Sequence, residues 1–204
     1  MYTIAIISQK GGAGKTTLAL HLAVAAEQSQ KSTAVVDLDP QASATSWRDT
    51  RENPAPAVVS SQAARLAQVL ETAREHGADL AIIDTAPHSE TSALNAARTA
   101  DLILIPCRPA ILDIKAIGAT VDVARLAQKR AVVILNAVPA RGTLEEEARA
   151  AIAHYEVLIA PQSLGHRAAF VHALTEGLTA QEYDPIGKAA EEITTLYAWI
   201  QANM

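Results

Sequence analysis

The chain has 204 residues, a length that fits one globular domain with a full hydrophobic core. Its formal net charge of -5 excludes the whole molecule as an electrostatic nucleic-acid binder, so such a contact would need a local basic patch. The single cysteine, Cys107, excludes an internal disulfide and a cysteine-based zinc or iron–sulfur site, and we interpret it as a buried apolar residue. The N-terminus lacks the basic region of a signal peptide, and no apolar run approaches the roughly 18 residues of a membrane span, so we expect a cytoplasmic protein.

Short β-branched segments alternate along the chain with longer segments of helical periodicity. Strands are predicted at residues 4–8, 33–37, 57–60, 80–84, 102–106, 131–136 and 157–160. Helices are predicted at residues 15–28, 63–76, 112–128, 166–175 and 187–202, and another is predicted to start near residue 143. Gly77 is expected to end the second helix, and Thr143 with Glu146 is expected to form a capping box.

This alternation of strands and helices predicts an α/β fold, with a mostly parallel twisted sheet covered by helices on both faces. The strands at 80–83 and 131–135 are apolar throughout, which is typical of strands buried on both faces. We see no repeat, linker or boundary, and we predict a single domain over residues 1–204. Ligands of such sheets bind at the carboxyl ends of the strands, and the chemically informative side chains follow those ends.

The first strand leads into a glycine-rich segment, Gln9-Lys10-Gly11-Gly12-Ala13-Gly14-Lys15-Thr16-Thr17. The glycines let successive backbone N–H groups surround phosphate oxygens, and the helix that follows adds the partial positive charge of its N-terminus. Lys15 can reach the β- and γ-phosphates, and the Thr16 hydroxyl can ligate Mg²⁺. A tight strand–helix turn would explain the glycines but not the Gly-Lys-Thr that ends the segment. The sequence therefore predicts a phosphate-binding loop in which residues 11–17 bind nucleotide and Lys15 is also catalytic.

This loop departs from the standard pattern G-x-x-x-x-G-K-[ST], because Gln9 occupies the first glycine position and Lys10 is an additional lysine. The Lys-Gly-Gly-x-Gly-Lys-Thr arrangement resembles the deviant Walker A class of P-loop NTPases, the ParA/MinD family. The resemblance implies a P-loop NTPase fold in which Lys10 reaches across a dimer to the partner's ATP. A cation supplied in this way stabilises charge on the transferred phosphoryl group. The alternative for Lys10 is a solvated surface lysine.

Three aspartates follow neighbouring strands. Asp37 and Asp39 lie in the segment Asp-Leu-Asp-Pro-Gln, where residues two apart point the same way if the strand continues through both. The segment resembles the family's Asp-x-Asp-Pro-Gln signature, which implies that Asp39 orients the attacking water and that Asp37 supports Mg²⁺ through water. The alternative for Asp39-Pro40 is a cap of the next helix. Asp84 ends an apolar strand in the Walker B form, so we expect its carboxylate to hold Mg²⁺ or its water shell.

Two further polar residues lie beside the expected site. Asn136 follows the strand 131–135, and its amide can both donate to and accept from adenine. The resemblance implies an adenine contact at Asn136, and a hydrogen bond to the backbone of a turn is the alternative. Residues 106–118 resemble the family's loop and helix next to the nucleotide and the dimer face, and we interpret Asp113 in that segment as a helix N-cap rather than a catalyst.

Among the branches of the family, the iron–sulfur carriers require paired cysteines, which this chain lacks. The apolar stripe of the last helix is flanked by Glu191 and Glu192, which disfavours an anionic membrane partner and indicates a core face. The first strand begins at once, without a helix-turn-helix domain ahead of it, which resembles the small ParA-type partition ATPases. The resemblance implies an Mg-ATP-dependent ATPase that forms an ATP-sandwich homodimer and binds DNA without sequence preference. It also implies a ParB-like adaptor that stimulates hydrolysis, and a plasmid, chromosome or protein assembly as cargo.

Non-specific DNA binding requires several cations on one face of the dimer. The candidates are Arg125, Lys129, Arg130 and Arg167, and the alternative is an ordinary solvated surface. An ATP-bound dimer of this kind would be associated with the nucleoid. Two other functions remain open: a MinD-like positioning ATPase, and a metabolic ligase of the same fold that activates a small carboxylate with ATP.

Overall fold

The computed structural model describes residues 1–204, and its centre is a seven-stranded, fully parallel sheet. The strands are β1 (Tyr2–Ile6), β2 (Thr33–Asp37), β3 (Ala57–Ser60), β4 (Leu80–Asp84), β5 (Leu102–Cys107), β6 (Arg130–Leu135) and β7 (Leu158–Ile159). Their spatial order is β3-β2-β4-β1-β5-β6-β7, so β1 is the central strand. The chain leaves β1 toward β2 on one side and later reaches β5 on the other side. Such a reversal of direction is where sheets of this type bind ligands.

Nine α-helices surround the sheet; the first six connect successive strands, and the last three follow β7. They are α1 (Lys15–Gln28), α2 (Ser43–Thr50), α3 (Leu66–Glu75), α4 (Glu90–Thr99), α5 (Ile111–Leu126), α6 (Leu144–Ala153), α7 (Ala168–Thr175), α8 (Ala180–Tyr183) and α9 (Lys188–Gln201). A single 3-10 turn at Ala63–Arg65 precedes α3. No helix is long and apolar enough to cross a bilayer.

The sheet is covered on both faces, and successive residues of a strand contribute to different cores. Ile4 and Ile82 pack in one cluster with α1, α2, α7, α8 and α9. Ala5 and Ile83 pack in the other cluster with α3, α4, α5 and α6. Each fully buried isoleucine of these clusters stabilises the fold by about 1.5–3 kcal/mol. The predicted α/β class, with helices on both faces of a parallel sheet, is confirmed.

The strand predictions at 33–37, 57–60 and 80–84 match β2, β3 and β4, and the other strands differ from prediction by one or two residues at their ends. Three helices, α2, α4 and α8, lie outside the predicted helical ranges. Helix α4 buries Ser92, Ala93, Ala96 and Ala97 and no large apolar side chain, so its sequence carries little helical periodicity. Helix α8 is one turn long, which is too short for a periodic pattern.

The helix ends show which capping predictions hold. Gly77 follows α3 with a φ of 83°, so the prediction that it terminates the helix is confirmed. The capping box predicted at Thr143 is wrong, because the Thr143 hydroxyl donates to the Glu147 carboxylate at 2.5 Å and accepts no backbone N–H. The structure places a capping box at Thr179 and Glu182 instead, at the start of α8.

The last helix, α9, packs its apolar stripe into the core. Ile193, Leu196 and Ile200 have no exposed surface, and Tyr197 is 4% exposed. The interpretation of this stripe as a core face is therefore confirmed.

A fully buried histidine connects α1 to α8. The backbone N–H of Ala180 donates to His21 Nε2 at 3.0 Å, so the ring proton is on Nδ1, which donates to the Thr17 carbonyl at 2.7 Å. The ring also packs edge-on against Phe170. Burial lowers the pKa of His21 from 6.5 to about 4, although the Thr17 carbonyl and the Glu182 charge act to raise it. His21 therefore links the residue that ends the glycine-rich loop, Thr17, to the C-terminal helices as a neutral ring.

We expect the stability of the protein to depend on the protonation of His21 between pH 6.5 and about 4. In this range the unfolded state binds a proton that the folded state excludes, so the contribution is full above pH 6.5 and is lost as the pH falls. The total loss is roughly 3 kcal/mol. The carboxyl of Asp84, whose pKa is raised to about 7, has the opposite sign in this range and partly masks the effect.

The measurement is the free energy of unfolding by urea at several pH values between 7.5 and 4, for wild type and His21→Gln. The difference between the two proteins cancels the other titrating groups and should fall steadily as the pH falls. The exposed His154 provides the control His154→Gln, which should follow wild type. Parallel pH curves for wild type and His21→Gln would contradict the prediction.

Candidate nucleotide-binding site

The glycine-rich loop lies between the central strand β1 and helix α1. Gly12 and Gly14 have φ angles of 72° and 94°, in the left-handed region that glycine adopts without strain. Lys15 begins α1, is 6% exposed, and its Nζ lies 3.5 Å from the Lys10 carbonyl, so it curls back over its own loop. Burial lowers the pKa of Lys15, opposed by the charges of Asp84 and Asp39. The loop therefore has the form of a phosphate cradle with its lysine directed inward.

Thr16 and Asp84 form a pair of oxygen donors beside this loop. The Thr16 hydroxyl donates to Asp84 Oδ2 at 2.6 Å, and Asp84 Oδ1 is buried without a hydrogen-bond partner. Burial raises the pKa of Asp84 to about 7, Thr16 and Lys15 act to lower it, and the Asp37 and Asp39 charges raise it further. Mg²⁺ binds through one or two protein oxygens with water and phosphate oxygens completing its shell, so this pair fits the ion.

Asp37 lies next to Asp84, in register across the pairing of β2 with β4, and is also fully buried. Its Oδ1 accepts the backbone N–H of Asp39 at 3.0 Å, and its Oδ2 accepts the N–H and the hydroxyl of Thr45 at 3.1 and 3.2 Å. The Thr45 N–H belongs to the first turn of α2, so Asp37 satisfies one free N–H of that turn, a role that the sequence did not suggest. Support of Mg²⁺ by Asp37 through water stays a prediction.

Asp39 is partly exposed, and its Oδ1 accepts the backbone N–H of Gln41 at 2.9 Å. The N-cap of α2 is Ala42, so the alternative of an Asp39-Pro40 helix cap is wrong. Asp39 borders a groove of about 990 Å³ at the carboxyl ends of β2, β3 and β4, which Arg65 also lines. Its carboxylate is therefore accessible from outside the loop, as a residue that orients water must be.

Lys10 is directed away from the phosphate cradle. Its Nζ lies 2.8 Å from Asp113 Oδ2, and its side chain is 34% exposed. Arg108 approaches the same carboxylate, with its Nε 3.3 Å from Asp113 Oδ1. The N-cap of α5 is Ala110, so the interpretation of Asp113 as an N-cap is wrong, and its carboxylate serves as an ion-pair partner instead.

Asn136 binds the backbone of the loop. Its Nδ2 donates to the Ala13 carbonyl at 2.8 Å, and its Oδ1 accepts the N–H of Ala137 at 2.8 Å. Backbone hydrogen bonding, the alternative that the sequence left open, is thus what the structure shows, and an adenine contact stays a prediction. A cavity of about 210 Å³ opens beside Asn136, and its wall includes Leu164, Gly165 and Phe170. The sequence did not suggest this wall, because it follows an isolated bridge between Val138 and Gly165 rather than a regular strand.

A family model described as the CobQ/CobB/MinD/ParA nucleotide binding domain matches residues 4–179. The chain belongs to this family. The resemblance to the ParA/MinD class, stated above on the loop and the Asp-x-Asp-Pro-Gln segment, is confirmed.

Individual relatives agree with this assignment. Maintenance of carboxysome distribution protein A of Gloeobacter kilaueensis is 33% identical over 206 residues, which cover 95% of this chain and 89% of that protein. An ATP complex of a McdA variant from Cyanothece has a TM-score of 0.81 at 18% identity, covering 100% of this chain and 96% of that one. The septum site-determining protein MinD of Pyrococcus horikoshii, complexed with Mg-ADP, has a TM-score of 0.82 at 18% identity, covering 98% and 95%. ATP and Mg²⁺, expected from the sequence, are thus ligands of proteins that share this fold.

The four basic residues suggested for DNA binding do not form one surface in this member of the family. Arg130 begins β6, and Arg125 and Lys129 precede that strand. All three therefore lie near the amino-terminal ends of the strands, at the end of the sheet opposite the nucleotide loop. Arg167 lines the cavity beside Asn136 and is paired with Glu192 at 2.5 Å. The six residues of β6 separate the two positions by about 20 Å.

Gly14 provides a direct test of the loop. A Cβ at Gly14 would lie 2.2 Å from Asn136 Nδ2, whereas a Cβ at Gly11 would meet nothing within 4 Å. We expect Gly14→Ala to weaken ADP binding at least about tenfold, because the loop must deform and the φ of 94° is strained for alanine. The matched control, Gly11→Ala, should bind ADP within about threefold of wild type. Titration of a fluorescent ADP analogue into both folded variants measures this, and equal affinities would contradict the prediction.

Proposed function

We propose that this protein is an ATP-driven positioning switch. It binds Mg-ATP at residues 11–17, forms a dimer with a second copy across the bound nucleotides, and moves a large cargo. The observation that carries this proposal is the different orientation of the two loop lysines. Lys15 curls over its own cradle, whereas Lys10 is held outside it at Asp113, 2.8 Å away. A cation held at the rim of one site is suited to neutralise phosphate in a second copy.

ATP hydrolysis in this proposal is slow and acts as a timer. Asp39 borders an open groove, where it can orient a water toward the γ-phosphate, and Mg²⁺ held at Thr16 and Asp84 would neutralise developing charge. An adaptor protein on the cargo stimulates this step. The relative of 33% identity is named for the distribution of carboxysomes, which favours a protein assembly as the cargo over a plasmid or chromosome.

Lys10→Ala tests the dimer. We expect wild type to be a monomer with ADP and a dimer with a non-hydrolysable ATP analogue, and Lys10→Ala to stay monomeric with both. The analogue itself should still bind, because Lys15 remains in the cradle. Mass measurement in solution reads the result, with Lys31→Ala as a control at an exposed lysine beyond the far end of α1. A nucleotide-independent dimer, or normal dimers of Lys10→Ala, would reject the proposal.

The nucleoid would serve as the track in this proposal, and the surface offered to DNA is the cluster formed by Arg125, Lys129 and Arg130. Two carboxylates offset part of its charge, since Arg125 lies 3.6 Å from Asp122 and 3.9 Å from Glu156. Arg130 keeps its charge but uses part of its hydrogen-bonding capacity on the Asn203 carbonyl. One copy therefore offers few free cations, and a dimer doubles the number. Because each cluster lies at the end of its copy opposite the nucleotide loop, dimerisation raises DNA affinity in this proposal when one DNA molecule contacts both copies.

Replacing all three residues by glutamine should weaken DNA binding by the ATP-bound dimer without preventing dimer formation. The slope of log affinity against log salt should fall by about 0.9 for every phosphate contact that is lost. The control carries the same loss of charge at three exposed residues away from the candidate site: Lys31 after α1, Arg74 on α3 and Arg98 on α4. The reference slope comes from DNA binding by wild type between about 50 and 200 mM salt. Phosphate contacts dominate the affinity in this range. An unchanged slope in the triple variant would exclude this surface.

One observation favours a second candidate function, ligation of a small carboxylate with ATP. The groove beside Asp39 has a volume of about 990 Å³, is lined by Ser60, Ser61 and Gln62, and contains one guanidinium, that of Arg65. A substrate carboxylate could bind Arg65 and face the γ-phosphate. A panel of small dicarboxylic acids should then raise ATP turnover, and Arg65→Gln should remove the effect. The positioning switch requires instead that these acids leave turnover unchanged.

A further inference from the structure

Asp113 lies between two cations at the rim of the nucleotide loop. It is 8% exposed in the first turn of α5, and its two oxygens face different partners. Oδ2 accepts a hydrogen bond from Lys10 Nζ at 2.8 Å. Oδ1 lies 3.3 Å from Arg108 Nε, yet neither of these two atoms has a hydrogen-bond partner. One carboxylate is therefore bonded to Lys10 while a second cation stands within reach.

This arrangement affects any movement of Lys10 toward another molecule. A carboxylate left buried without a partner is strongly unfavourable, so Lys10 can leave only if another cation replaces it at Asp113. Arg108 requires only a small reorientation to do so, and a guanidinium can bind both carboxylate oxygens at once. Its Nη2 already lies against the loop, 3.2 Å from where a Cβ of Gly12 would be.

We propose that Asp113 is a positioning residue that holds Lys10 in its own subunit until a second ATP-bound copy competes for it, and that Arg108 pairs with Asp113 when Lys10 leaves. This inference rests on the proposed function, because it assumes that Lys10 acts across a dimer. It adds a threshold: dimerisation requires breaking one Lys10–Asp113 ion pair in each copy, and Arg108 lowers the cost of that exchange.

The surface around Asp113 suits contact with a second copy. Ile111 and Leu112 precede it in α5 and are 62% and 68% exposed. These two apolar side chains lie in the same turn as the carboxylate that holds Lys10. Contact with a second copy would bury them where Lys10 must cross, so the apolar contact and the transfer of Lys10 would occur together.

Two substitutions should change dimerisation in opposite directions. At saturating non-hydrolysable ATP analogue, Asp113→Asn should lower the protein concentration for half dimerisation by about five- to tenfold, because Lys10 is no longer held. Arg108→Gln should raise it by a similar factor, because Asp113 is left unpaired. Asp122→Asn, on the exposed side of α5, and Arg98→Gln, on α4, are the matched controls and should follow wild type.

The affinity of the monomer for ADP separates this mechanism from a general effect of charge. Asp113→Asn should bind ADP within about twofold of wild type, because Lys10 takes no part in its own cradle, whereas a general effect would raise ADP affinity as well. Thermal unfolding with ADP confirms that each variant is folded, and Arg108→Gln decides alone if Asp113→Asn does not fold.

The contradicting outcomes are distinct. The role of Asp113 would be overturned if Asp113→Asn needed the same protein concentration as wild type for half dimerisation, or a higher one. It would also be overturned if both variants dimerised more weakly than wild type. Arg108→Gln that dimerises as wild type would overturn the exchange. A wild-type protein that stays monomeric with the ATP analogue would overturn the proposed function itself, and this inference with it.

Discussion

Two carboxylates buried side by side in a parallel sheet are the constraint on which the site depends. Asp37 and Asp84 are in register across β2 and β4, and both are fully buried. The protein satisfies Asp37 completely with the backbone of the β2–α2 connection and the Thr45 hydroxyl. Asp84 receives one bond from Thr16 and keeps one oxygen without a partner. An unsatisfied buried carboxylate oxygen costs stability, and Mg²⁺ beside a bound phosphate is the group that would compensate for it. An aspartate at the end of β2 therefore stabilises the β2–α2 connection, and an aspartate at the end of the neighbouring strand β4 provides the candidate Mg²⁺ ligand.

The segments that form this site are anchored to the same C-terminal helices. The loop and α1 reach α8 through His21, and the Gln181 side chain donates to the His21 carbonyl. Helix α2, which follows Asp39, reaches the same region through Trp47, whose indole N–H donates to the Leu178 carbonyl. The chain after α2 adds a salt bridge from the buried Arg51 to Glu182 at 2.6 Å. Burial of His21 and Arg51 makes these links costly to break singly, so the phosphate loop and the Asp39 segment are held in a fixed relation.

The sequence predicts the parts of this protein that depend on local pattern. Strands β2, β3 and β4 are β-branched or apolar runs with clear ends, and the glycine-rich loop has a spacing that few other structures require. Helix α4 could not be predicted, because its buried face consists of alanine and serine, which give no periodic pattern of large apolar side chains. The ion pair between Lys10 and Asp113 could not be predicted from the sequence, because the two residues are 103 positions apart. An aspartate in the first turn of α5 is equally typical of a helix cap. Charge alone suggests the DNA-binding set of residues. The sequence does not show that Glu192 pairs with Arg167, or that β6 separates Arg167 from the other three residues.

The charge of the chain explains why dimerisation would be governed by so few residues. A molecule with a net charge of -5 repels its copy, and each bound ATP adds further negative charge at the face that must close. Lys10 and Arg108 face a single carboxylate, which leaves one net positive charge among these three groups in each copy. That charge has no use within the subunit once Arg108 satisfies Asp113, and the partner's phosphates would be its natural counter-ion. ATP binding and dimerisation would then favour each other. The phosphates of one copy gain a positive charge from Lys10 of the other copy, and that lysine gains a counter-ion.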